Sequence, residues 1–288
     1  MTIVKYHIGT TRWSLKEWVG RFYTEDATPD SFLSQYASVF NAVEGNTTFY
    51  RTPDPKTVER WGEAVPDGFK FCFKFPRGIT HEKQLAGAGD EILSFIDRFE
   101  PIRDHLGPFH IQLDDRFSYR QFSVLEEMLG SLPAEYAYAL EVRHPDYFDK
   151  GKKENHLVHL LRNLNIDRVV FDTRRLHSLK GSEPSIVEAQ KKKPKLPVRF
   201  DPTGSRPFLR YVGANDVPNN EAWLKEWAII VADWILDGRH PYVFIHAPDS
   251  VSAPEIARYF HRELARLVDV KPMPEWPVDR RGAQLGLF

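Results

Sequence analysis

The chain has 288 residues, 42% hydrophobic and 27% charged, with a formal net charge of −1. That is enough chain for one large domain with an ample core, and too ordinary a composition for long disorder. Near-neutrality excludes an overall electrostatic pull toward nucleic acid or membrane, and Cys72, the only cysteine, excludes an intramolecular disulfide or a cysteine-rich zinc site.

Short apolar runs alternate along the chain with segments of helical period, the rhythm of a parallel α/β fold. The first strand is expected at 6–9, followed by a helical stripe of Phe32, Leu33, Tyr36, Val39 and Phe40 and a second strand at 42–45. Asp54 before Pro55 reads as a helix cap with proline in the first turn. Strands at 69–75, 108–113 and 137–142 follow, then a leucine stripe (Leu157, Leu160, Leu161, Leu164) and a sixth strand at 168–171. Residues 172–207 break the rhythm with a long basic loop that includes Lys191, Lys192, Lys193 and Lys195; it is expected on the pocket side, as a lid. The seventh strand (208–212), a stripe from Trp223 to Ile235 and the eighth strand (242–246) complete the series. Ser252 with Glu255 reads as a capping box. Pro272, Pro274 and Pro277 predict a non-helical, extended tail. Eight strands point to a single (β/α)8 barrel of the TIM type over 1–270, with a flexible tail over 271–288. No apolar run approaches the ~20 residues that span a bilayer, and no basic-then-apolar leader follows Met1. The expected location is the cytosol, with no membrane partner.

Several strings resemble the YecE-like family, a TIM-barrel family of unknown function. They are Gly9-Thr-Thr-Arg-Trp13, Trp18-Val-Gly-Arg-Phe-Tyr23, Val43-Glu-Gly-Asn-Thr-Thr-Phe-Tyr-Arg51, Phe73-Lys-Phe-Pro-Arg77 with Ile79-Thr-His81, and Glu141-Val-Arg-His-Pro145. The resemblance implies the barrel and leaves the activity open. Arg12, Asp114-Asp115 and the segment from Ile245 to Asp249 depart from the family's usual residues.

TIM-barrel sites lie at the carboxyl ends of the strands. Reading those ends yields Glu44, Glu141, Asp172 and His246 as candidate catalytic groups. Asn46, Lys74, His81, Gln112, Arg143 and Arg210 are candidate substrate contacts. Lys74, Arg143 and Arg210 suit phosphate or carboxylate. The competing structural explanation is a salt-bridge girdle among the same residues. A divalent metal ranks lower, because cations share the pocket and no tight ligand spacing such as HExxH occurs; no cofactor is assigned. GxSxG, GxGxxG and P-loop signatures are absent. Trp13, Phe49 and Tyr50 offer either a stacking wall for a sugar or base, or core packing.

The chain ends Gln284-Leu285-Gly286-Leu287-Phe288, which looks like the peptide that docks bacterial DNA-metabolism proteins on the sliding clamp. In that reading Leu285, Leu287 and Phe288 make the apolar contacts and Gln284 a polar one. The leading expectation is therefore an enzyme, a hydrolase or phosphodiester-acting one, working on an anionic, phosphate-bearing small molecule or nucleic acid and linked to DNA or nucleotide metabolism. The alternatives are a non-catalytic nucleic-acid or clamp-binding module, and a sugar-phosphate isomerase or hydrolase.

Overall fold

In the computed structural model, which describes residues 6–280, each strand buries both of its faces in different company. The strands are β1 (His7–Thr10), β2 (Ala42–Gly45), β3 (Lys70–Phe73), β4 (Phe109–Gln112), β5 (Tyr138–Glu141), β6 (Asp167–Asp172), β7 (Phe208–Val212) and β8 (Tyr242–His246). Helices α1 (Pro29–Ala37), α2 (Pro55–Glu63), α3 (Gly89–Asp97), α4 (Phe122–Ser131) and α5 (Lys152–Asn163) separate the first six strands. After β6 come α6 (Arg174–Ser178) and α7 (Pro184–Lys192), then α8 (Glu221–Leu236) before β8, and α9 (Ala253–Leu264) and α10 (Pro277–Arg280) after it.

Side chains alternate along a strand, so one residue in two faces inward. The inner set is a small cluster: Ala42, Cys72, Ala139, Val169, Phe208, Tyr242 and Phe244. The outer set, including Val43, Phe71, Phe73, Ile111, Leu140, Val170, Leu209 and Val243, joins the large core shared with the helices.

All pairing is parallel, but the eight strands do not form one continuous ladder. Six make a curled sheet in the order β1-β8-β7-β6-β5-β4, and β2 pairs with β3 in a second sheet. Two isolated bridges, Phe71 with Leu106 and Lys74 with His110, link β3 toward β4. At the other seam no ladder pairs β1 with β2, and side chains take its place. The Asn41 side chain accepts from Ile8 N at 2.8 Å and donates to Tyr6 O at 2.7 Å. The Tyr36 hydroxyl accepts from Thr10 N at 2.7 Å and donates to Ala42 O at 3.0 Å. Gly9 is required there, since a Cβ would lie 1.9 Å from Ala42 O.

Asp54 caps α2 as expected, its side chain accepting from Thr57 N at 2.9 Å with Pro55 next in line. Ser252 does not cap α9 with its side chain. Asp249 takes the Val251 N–H at 2.9 Å instead, and Glu255 pairs with Arg21 at 2.6 Å. The 172–207 segment is not a bare loop; α6 and α7 occupy it, and Leu176, Ala189, Phe171 and Val212 give it a small core of its own. Between 271 and 280 the tail is not a free extended arm. Pro277 opens α10 rather than preventing a helix, Trp276 packs edge-on against Phe22 at 5.6 Å, and Arg280 donates to Ser38 O at 3.1 Å. Gln284, Leu285, Leu287 and Phe288 lie outside the described residues.

Candidate functional site

Two residues beyond the small inner cluster, in the carboxyl-terminal direction, most of the inward positions turn polar. Ala42 is followed by Glu44, Cys72 by Lys74, Ala139 by Glu141, Phe208 by Arg210 and Phe244 by His246. The same spacing takes His110 to Gln112, so one layer of polar side chains caps the apolar interior.

Arg210 stands at its centre. Its guanidinium grips Glu44 with two bonds, 2.8 Å from Nε and 2.7 Å from Nη2, and donates to Glu141 at 2.5 Å from Nη1. Arg143 donates to the other oxygen of Glu141 at 2.7 Å and to Gln112 Oε1 at 2.8 Å. Lys74 Nζ donates to that same Gln112 oxygen at 2.8 Å and lies 4.0 Å over the Phe49 ring. His246 approaches Glu44 at 3.5 Å, and His110 approaches Glu141 at 3.2 Å. Gln112 Nε2 is 3.4 Å from His81, whose other ring nitrogen meets the Thr80 hydroxyl at 2.9 Å.

These contacts decide the protonation states. Burial alone would raise both glutamates, but the arginines beside them win. Arg210 holds Glu44 well below the usual carboxylate range, and Arg143 with Arg210 does the same for Glu141. Both are anions and weak proton acceptors. Burial, with Arg210 and Arg143 nearby, pulls Lys74 down to about 7. Burial also lowers His81 to about 4, His110 to about 4 and His246 to about 3, so all three rings are neutral at pH 7.

The expected site residues therefore meet, with two qualifications. Asn46 turns toward the first strand's loop, donating to Thr11 O at 3.2 Å. Asp172 does not belong to the group. It shares the outward parity of Val170, is fully buried under α8, and accepts from Trp227 Nε1 at 2.7 Å and from Arg174 at 2.9 and 3.0 Å. The inward residue at that strand end is Phe171, 4.7 Å from the Arg210 guanidinium.

Three neighbours escaped the reading of strand ends. His110 and Phe171 carry the inward parity and could have been found by counting back two from Gln112 and forward two from Val169. Lys193 could not. Of the four lysines in the basic run it alone reaches this place, 5.7 Å from the Phe171 ring, held there because Thr173 bonds Pro194 O at 2.9 Å and His177 lies 3.0 Å from Lys193 O. Burial and Arg210 lower Lys193 to about 8. Lys192 instead pairs with Glu188 on the surface.

Among the described residues no group of three or more His, Cys, Asp or Glu is placed to hold a metal ion. No described helix is long and apolar enough to cross a membrane.

Beside this layer a cleft of about 590 Å3 opens at the ends of β1 and β2, reaching Glu44 and Asn46 and walled by Trp13, Tyr50 and Trp61.

Parallel strands alternating with helices, with polar side chains converging at the strands' carboxyl ends, define an α/β protein of the barrel-like class. The chain belongs to the family described as "Protein of unknown function DUF72", which matches residues 7–278. It is 36% identical over 272 residues to the UPF0759 protein YecE of Escherichia coli K12, covering 94% of this chain and 97% of that one. A DUF72 family protein from Enterococcus faecalis V583 has a similar fold, with a TM-score of 0.70 at 17% identity, covering 94% of this chain and 98% of its own. Another, from Thermotoga maritima MSB8, gives 0.67 at 25% identity, covering 91% and 99%.

Proposed function

We propose that the polar layer binds the anionic, phosphate-type group of a substrate, and that the protein is an enzyme acting on it. One observation carries the reading: Lys74 and Lys193 lie at this layer with no carboxylate among the described residues hydrogen-bonded to either, while Glu44 and Glu141 are already bonded to Arg210 and Arg143. Spare cations in a desolvated place attract anions strongly. In this reading Arg210 is a fixed pillar held by its glutamates. Lys74, Lys193 and Arg143 supply donors to the anion, and Lys74, poised near 7, moves the proton that Glu44 and Glu141 are too acidic to take. Hydrolysis or phosphodiester chemistry fits these parts. We further propose that the two sheets close as one (β/α)8 barrel, supported by the Phe71–Leu106 and Lys74–His110 bridges and the Tyr36 and Asn41 seam.

The test starts with sulfate and inorganic phosphate titrated by calorimetry against wild type, Lys74→Met and Lys193→Ala. Binding that survives both substitutions unchanged overturns the anion reading. Phosphorylated sugars, nucleotides, and abasic or single-stranded DNA are then screened for turnover, with and without divalent metals, alongside Glu141→Gln. Turnover that survives Glu141→Gln removes Glu141 from the mechanism.

The link to a sliding clamp rests on Gln284 to Phe288 of the sequence alone. A pull-down with purified clamp, comparing the full chain with one lacking those five residues, tests it; equal capture sinks it.

A further inference from the structure

We propose that the cleft at the ends of β1 and β2 seats a nucleobase, so that the substrate of the neighbouring anion site is a nucleoside phosphate. The proposal rests on the anion reading for the phosphate and on independent observations for the base.

The first of these is shape. The cleft holds about 590 Å3, within the range of small-molecule sites, and reaches Glu44 of the polar layer. One ligand can therefore reach both places. The second is the wall. Trp13 and Trp61 meet edge to face, with centroids 5.2 Å apart and planes at 80°, and both pack on the core beneath. A rigid aromatic corner of this kind is formed before any ligand arrives. Tyr50 faces it and is 80% exposed, far from the core packing that is the ordinary fate of a tyrosine beside a strand end. A flat ring entering the cleft recovers apolar area on Tyr50 that is otherwise left in water.

The third observation is charge. Arg12 and Arg51 line the same cleft, both exposed, and neither forms a salt bridge to a carboxylate among the described residues. The acids at hand are already engaged: Asp54 caps α2, and Glu44 is bound by Arg210. Guanidinium groups beside aromatic faces suit a planar, electron-rich heterocycle attached to a phosphate, by stacking and by charge at once. Asn46, anchored to Thr11 O through its amide nitrogen, keeps its side-chain oxygen available as an acceptor for a base N–H.

The test uses three probes: adenosine 5′-monophosphate, ribose 5-phosphate and adenosine. Each is titrated by calorimetry and by quenching of tryptophan fluorescence, against wild type and Tyr50→Ala. Tyr50 is so exposed that its removal leaves the thermal midpoint in place, which the same samples verify. Stacking contributes ~1–3 kcal/mol per base, so adenosine monophosphate should bind about fivefold to a hundredfold tighter than ribose 5-phosphate. Tyr50→Ala should erase most of that difference and leave ribose 5-phosphate binding unchanged. Equal affinities for the two phosphates, insensitive to Tyr50→Ala, overturn the base site while the anion site stands. Adenosine binding that depends on Tyr50, with no binding of ribose 5-phosphate, supports the base site and overturns the anion site. No binding of any probe overturns the proposal.

Discussion

Two buried networks of arginine and glutamate occupy this molecule, and they are built to different ends. On the outside of β6, Glu154 accepts from Arg168 at 2.8 Å and from Arg199 at 2.6 Å, while its second oxygen takes the Lys150 N–H at 2.8 Å. The two arginines spend further donors on the carbonyls of Tyr147 and Phe148. Each charged group has an oppositely charged partner, and the cluster sews a helix and a loop to the sheet. The network around Arg210 begins the same way but ends in two lysines, one with a single neutral acceptor and one resting against a ring. A stitched network has no use for spare charge. In the proposed reading, Lys74 after β3 and Lys193 after α7 are the charges that an anion from outside the chain would complete.

That contrast can be broken by substitution. Arg210→Met should be the most damaging change, since it leaves two carboxylates buried without their main partner. A loss of ~3–5 kcal/mol in urea denaturation is expected. Arg168→Met should cost less, about 2 kcal/mol, because Arg199 still serves Glu154. If the two variants lose the same stability, the networks are alike after all.

Next in size is the separation of binding from stability. Lys193→Ala should weaken sulfate binding about tenfold or more, the worth of one charge-assisted hydrogen bond, without lowering the thermal midpoint. Asp172→Asn should do the reverse, costing about 1–2 kcal/mol by loosening Arg174 while sulfate binds as before.

A pH titration sharpens the comparison further. Sulfate keeps its charge from pH 6 to 9, so its affinity follows the protein alone. Lys74 and Lys193 hold their protons below about 7 and about 8, and binding should fall as pH rises through that window. The effect on stability runs the other way. The unfolded chain keeps its Lys74 proton to about 10.4, and the folded chain releases it near 7. The unfolded state therefore binds more protons above pH 7, and Lys74 makes the fold more stable as pH rises from 7 to 9. Lys74→Met should remove the part of both curves near pH 7 and leave the part above about pH 8 that Lys193 supplies; a rise in stability between pH 7 and 8 that persists in this variant assigns it to another group.

Much of this architecture was legible in the sequence because its two periods are clean. The strands at 42–45, 208–212 and 242–246 match residue for residue, since each is a short, largely apolar run carrying one polar residue, Glu44, Arg210 or His246. Glu44, Glu141, Arg143, Arg210 and Lys74 were legible for the same reason. Asp172 misled because it too ends a strand, and only its step of two from Val170, a residue of the outer core, tells its direction. Lys193 is set by where α7 stops and how the next residues fold back, a tertiary outcome that a run of like charges does not encode. The seam between β1 and β2 was hidden as well, since a tyrosine in a helical stripe looks like any other core residue.

Peptide-to-peptide pairing is nearly blind to side-chain identity, and proline aside, a point change rarely removes one of its bonds. Where Tyr36 and Asn41 stand in for such pairing, the joint is spelled out in two codons, and Tyr36→Phe deletes the link between Thr10 and Ala42 while keeping the ring. Here the joint between two sheets is a heritable, adjustable character rather than a property of the backbone.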